Sequence, residues 1–144
     1  MSLYLDTAYV AKCYLNEPDA SRVRALVRGK TGLTSSALCT GELACVLHRH
    51  VHAGELTRAQ AARLRRMYEA DVEQGVWTLL PVSAAVLDEV ARRVAALHVS
   101  VYLRSADAIH LTTAAEAGFD EVWTSDRHML AAAKAFGLAG RSAA

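Results

Sequence analysis

The chain lacks any stretch of about 18 uncharged apolar residues, the length a membrane-crossing helix needs, and its opening, MSLYLD, has neither a basic start nor a long apolar run. A membrane span and a secretory signal are therefore not expected, and a cytoplasmic protein is. It lacks a dominant charge: 16 Lys and Arg stand against 15 Asp and Glu, leaving +1. With no global basic field, a nucleic-acid partner would have to be held by local patches or by metal. Lysine is scarce, present only as Lys12, Lys30 and Lys134. The cysteines, Cys13, Cys39 and Cys45, are odd in number and form no C-x-x-C pair. Each sits in an apolar, helix-like stretch, so all three are expected as buried reduced thiols, in keeping with a reducing compartment. Aromatics make up only 6%, so Ala, Leu and Val must fill the core. No G-x-G-x-x-G or G-x-x-x-x-G-K-[ST] occurs, which disfavours a nucleotide-binding loop. No G-x-S-x-G occurs either, and Ser35-Ser36 with any His gives no convincing hydrolase triad.

What is there is a globular balance: 144 residues, 53% hydrophobic and 22% charged. That size fits one domain, 1–144, better than two. Leu3-Tyr4-Leu5, Gly32 to Ser35, Trp77 to Val82, Glu121 to Thr124 and Leu138-Ala139 read as short strands. Between them the spacing predicts helices over Thr7 to Leu15, Ala20 to Arg28, Ser36 (as N-cap) through Val51, Arg58 to Glu73, Ala84 to Leu97, Ala106 to Ala117 (capped by Ser105) and Asp126 to Phe136. His98 to Tyr102 reads as a loop or a frayed helix end. Short strands alternating with helices, without polar-apolar alternation, point to an α/β fold with a central parallel sheet flanked by helices.

Asp6 directly follows the first strand, and Asp126 lies two residues after EVWT. In open parallel sheets the functional crevice lies beyond the carboxyl ends of strands. Each acid has a simpler reading, as a helix N-cap. Asp107 has apolar neighbours, Ala106, Ala108 and Ile109, and Glu42 sits inside ALCTGELACVL. Acids in such company are costly unless paired with a base or aimed at a cation. Four converging carboxylates would raise one another's pKa unless a cation neutralised them. Hard oxygen donors without thiolate select magnesium or manganese, and the matching chemistry is phosphodiester hydrolysis.

Four stretches, YLDTAYVAK, TSSALCTGELACVLHRH, LRSADAIHLTTAAEAG and VWTSDRHMLAAAKAFGL, occur in this order across nearly the whole chain. Together they resemble the PIN-domain ribonucleases, and among these the VapC-type toxins of toxin–antitoxin pairs. That resemblance implies a PIN-like fold with a short central parallel sheet and a Mg2+- or Mn2+-dependent endoribonuclease that hydrolyses RNA. It also implies that Asp6, Glu42, Asp107 and Asp126 ligate the metal or position the attacking water. Asp6 and Asp107 would be the direct ligands, and Thr7 and Thr124 would orient the acids by hydrogen bonds. A homodimer and a cognate antitoxin partner are implied as well. Ala8 and Tyr9 depart from the Ser and small apolar residue frequent in the family at those positions.

Arg104 and Arg127 flank the third and fourth stretches and are candidates for substrate phosphate. The clusters Arg22, Arg24, Arg28, Lys30 and Arg63, Arg65, Arg66 read more simply as solvated faces. Of His48, His50 and His52 only the outer two share a helix face, too few for a zinc site. His110 can approach the acids, though a packed core histidine is the simpler reading. Two other functions compete. A haloacid-dehalogenase-type phosphatase also places an Asp after its first strand, but Ala8 stands where it needs a second. A non-catalytic PIN-like module binding RNA or protein would lack an acid, and all four acids are present.

Overall fold

A computed structural model of the chain describes residues 2–143. The first strand, β1 (Ser2–Tyr4), runs parallel to β2 (Gly32–Ser36) with Leu3 opposite Leu33, and β2 runs parallel to β3 (Trp77–Leu80) with Leu33 opposite Trp77. A second parallel pair, β4 (Glu121–Trp123) and β5 (Ala139–Arg141), meets the first through a parallel bridge between Leu5 and Trp123. The Asp6 N–H donates to the Trp123 carbonyl at 3.1 Å and extends that junction. The order across the molecule is therefore β3-β2-β1-β4-β5. The strand order reverses between β1 and β4, and at such a switch point the strand ends open a crevice.

The helices are α1 (Thr7–Lys12), α2 (Ala20–Val27), α3 (Leu38–His52), α4 (Arg58–Glu73), α5 (Ala84–Ala95), α6 (Ser105–Glu116) and α7 (Arg127–Ala132), the last continued by a 3-10 turn, Ala133–Phe136. Side chains of β1 alternate between two cores. Leu3 and Leu5 pack with Val10, Val23, Leu43 and Trp77, whereas Tyr4 packs with Leu111, Val122, Met129 and Phe136. Both faces of the sheet are covered, which is why its strands show no polar-apolar alternation. Among the described residues, no helix is long and apolar enough to cross a membrane.

Several local expectations are corrected. Helix α1 ends at Lys12, and residues 13–15 form turns rather than a further helical turn. Ser36 closes β2 instead of capping the next helix, although its Oγ accepts the Leu38 N–H at 3.0 Å. Ser105 is already helical, and Arg104 takes the cap position without a side-chain hydrogen bond. The 98–102 segment, by contrast, is a non-helical connection, in keeping with the loop reading. The cysteines are not uniformly buried: Cys39 is, Cys13 is half-buried and Cys45 is exposed. The cause is the period of α3, which turns Cys39, Leu43 and Leu47 to the core and Cys45 away. Burial pushes the Cys13 and Cys39 thiols up to about 11, which keeps them neutral.

Candidate active site

Asp6 leaves the end of β1 as the N-cap of α1. Its Oδ1 accepts the Tyr9 N–H at 3.0 Å, and its Oδ2 accepts the Thr124 hydroxyl at 2.5 Å. The side chain is buried. Burial raises its pKa, the bonds from Thr124 and Tyr9 and the nearness of His110 oppose the rise, and the charge of Asp107 adds to it; the net direction is upward. The capping role and the site role therefore coexist in one carboxylate.

Glu42 projects from the middle of α3. Its Oε1 accepts the Thr7 hydroxyl at 2.6 Å and lies 2.8 Å from His110 Nε2. The other ring nitrogen, Nδ1, is 2.9 Å from the Tyr4 hydroxyl. Burial, with the charge of Asp6 second, pushes the Tyr4 phenol far up, so it stays a donor. With the Tyr4 hydroxyl donating to Nδ1, the Nε2–H of His110 donates to Glu42. Burial alone would raise Glu42, but the bonds from His110 and Thr7, with the charges of His110 and Arg104, outweigh it and hold this carboxyl below its ordinary range.

Asp107 stands buried in the first turn of α6. Its Oδ2 accepts from Arg104 Nε at 3.0 Å, and Arg104 Nη2 reaches Asp126 Oδ2 at 2.9 Å. Asp126 Oδ1 caps α7, accepting the N–H groups of His128 and Met129 at 2.8 and 3.0 Å. One guanidinium thus bridges two of the acids. All four acids line a single cleft of about 700 Å3, together with Thr7, Cys45, Arg49, Arg104, His110 and Met129. Arg127 is exposed and lies outside that lining.

His110 joins the cleft while remaining 2% exposed, so it is a packed histidine and a neighbour of the acids at once. Arg49 escaped the sequence reading. The available signal was helical period: it follows Glu42 by seven residues and so returns to the same face of α3. His48 and His52 gather no further ligands. Among the described residues, no three acidic, histidine or cysteine side chains surround a point closely enough to hold a metal ion. The local reason is pairing, since Glu42 is turned to Thr7 and His110 while Asp107 and Asp126 are turned to Arg104.

The sequence model of the PIN domain matches residues 3–135, nearly the full chain. The chain belongs to the PIN domain family. It is 33% identical over 140 residues to Ribonuclease VapC46 of Mycobacterium tuberculosis, covering 96% of this chain and 95% of that protein. Among solved structures it resembles FitAB bound to an IR36 DNA fragment, with TM-score 0.70 and 17% identity over 98% of this chain and 94% of that one. It also resembles FitAcB from Neisseria gonorrhoeae, with TM-score 0.69 and 19% identity over 98% and 97%. At such identities these two structures speak for the fold, an α/β PIN architecture.

The donor chemistry of this PIN cleft suits a hard divalent cation: four carboxylates, no thiolate among the acids' own contacts, and water-sized space between them. Two observations mark where positive charge belongs. Asp6 is a buried carboxyl whose pKa burial pushes up, in spite of the bonds from Thr124 and Tyr9 and the nearness of His110. Arg104 already supplies a cation between Asp107 and Asp126.

Proposed function

We propose that this PIN domain is a Mg2+- or Mn2+-dependent endoribonuclease, the cytoplasmic toxin of a toxin–antitoxin pair, acting as a homodimer of single-domain chains and restrained by a cognate antitoxin. The observation that carries the reading is the meeting of Asp6, Glu42, Asp107 and Asp126 in one cleft at the sheet's switch point. Its support from relatives is the end-to-end likeness to Ribonuclease VapC46.

In this reading Asp6 and Asp107 hold the metal directly, and Glu42 and Asp126 complete its sphere or position the attacking water. When bound, the metal lowers the pKa of that water and neutralises the phosphate. The chain's own groups do the positioning. Thr124 and the Tyr9 N–H fix both oxygens of Asp6, and Thr7 and His110 keep Glu42 an anion able to accept a proton. Arg104, once the acids it bridges turn to the metal, is free to meet the RNA phosphate, with Arg49 beside the cleft and Arg127 outside it on the backbone.

One observation favours the second reading, a non-catalytic PIN-like binding module: the Arg104 bridge leaves no three acids arranged around a metal point among the described residues. Treatment of total bacterial RNA with purified, antitoxin-free protein separates the two. The nuclease yields discrete fragments with magnesium or manganese, none with chelator, and none from Asp6→Asn or Asp107→Asn. RNA that is bound but left whole in both metals means a binding module.

A further inference from the structure

Two tryptophans, five tyrosines and two phenylalanines are present, and Tyr102 alone among them is exposed, at 58%. Its one ring partner is His128, edge-on with centroids 4.6 Å apart and planes at 65°. Both residues are tied to the acidic cleft by short covalent paths. Tyr102 lies two residues before Arg104, which grips Asp107 and Asp126. His128 lies two residues after Asp126 and donates its own N–H to that carboxylate at 2.8 Å. The Arg104 side chain is itself 57% exposed, and Arg127, the residue before His128, is exposed as well.

An aromatic ring left in water, set edge-on to a second ring and close along the chain to two exposed arginines, matches one ligand chemistry: a planar base followed by an anionic phosphate. We propose that Tyr102 and His128 form a subsite for one unpaired nucleobase of the RNA whose backbone crosses the acidic cleft. This rests on the ribonuclease reading and names the side chains that would meet a base of the RNA beside the cleft. In a duplex both faces of each base are covered by neighbouring bases, so only an unpaired one can settle on Tyr102. Every base has a π-face, so the subsite reads strandedness rather than sequence. Val99, 95% exposed on the same connection, marks the rival use of this surface, as a contact for a second copy or a partner protein.

The test is binding of a fluorescent single-stranded RNA oligonucleotide, and of its duplex, to the full chain in chelator, with cleavage of the same RNAs followed in magnesium. Loss of one stacked base predicts that Tyr102→Ala raises the single-strand Kd about 5- to 100-fold. Tyr102→Phe keeps the ring and restores binding, and the duplex, which never reaches the ring, is bound equally by all three proteins. If the wild type cuts RNA while Tyr102→Ala binds single strands as tightly as it does, the subsite is wrong and the nuclease reading stands. If single-strand binding depends on Tyr102 but nothing is cut, the subsite stands and the nuclease reading falls. A Tyr102→Ala effect confined to sedimentation behaviour assigns the ring to protein contact and overturns the subsite, and a wild type that neither binds nor cuts overturns both.

Discussion

Asp6 serves the fold and the cleft with opposing demands. As a cap it satisfies the start of α1, and as a buried carboxylate it burdens the metal-free protein with a charge that burial disfavours. Its folded pKa lies above the ordinary 3.8, so the folded chain holds the proton more tightly than the unfolded one. Stability of the metal-free protein from this group is therefore present at low pH and is lost as pH rises through the folded value. Asp6→Asn keeps the capping oxygen and removes the charge. It raises the neutral-pH melting temperature by about 2–4 °C, the shift that about 1 kcal/mol produces at this size. The gain over wild type shrinks as the pH approaches 4, as scanning calorimetry in chelator reads. Glu42 acts in the opposite sense: its pKa is lowered, so its contribution is lost as pH falls. Thr124→Val removes the hydroxyl that fixes Asp6 Oδ2 and lowers single-turnover cleavage by about 10- to 100-fold, while Thr124→Ser retains it. The acids were legible as residues because strand ends and apolar surroundings single them out. Their partners were not: His110 meets Glu42, and Arg104 meets Asp126, across separations that local pattern does not encode.

At the scale of elements, α3 shows what periodicity can and cannot deliver. The helix itself was plain from its apolar run, but burial along it was not: of Cys39, Glu42 and Cys45 only Cys39 is buried, while Glu42 and Cys45 line the cleft. Boundaries failed where tertiary bonds displaced local preference. Ser36 is drawn into β2, where it pairs in register with Leu80. At the start of α4, Thr57 and Gln60 form a complete capping box. Thr57→Ala costs about 1 kcal/mol in urea denaturation and leaves the cleft untouched, since α4 contributes nothing to its lining.

For the whole molecule, the parallel sheet was legible because both of its faces are buried and its strands read as short apolar runs. The switch point was not, because strand order depends on which edge β4 joins, and that is fixed by the contact of Leu5 with Trp123 rather than by either segment alone. A metal held by the folded cleft, as proposed, would add stability by mass action, about 2.7 kcal/mol at a hundred times the dissociation constant. Magnesium or manganese therefore raises the melting temperature of the wild type and raises that of Asp107→Asn much less, as differential scanning fluorimetry reports. The chemistry claimed for the cleft, water activated by a carboxylate-held metal, leaves a signature in the products. The decisive measurement is mass-spectrometric analysis of the fragment ends after RNA is treated with the purified protein, with magnesium and with chelator. Fragments that form only with metal and carry no 2′,3′-cyclic phosphate are the predicted result. Chelator-resistant fragments ending in 2′,3′-cyclic phosphate would mean attack by the RNA's own 2′-hydroxyl, and would contradict the account.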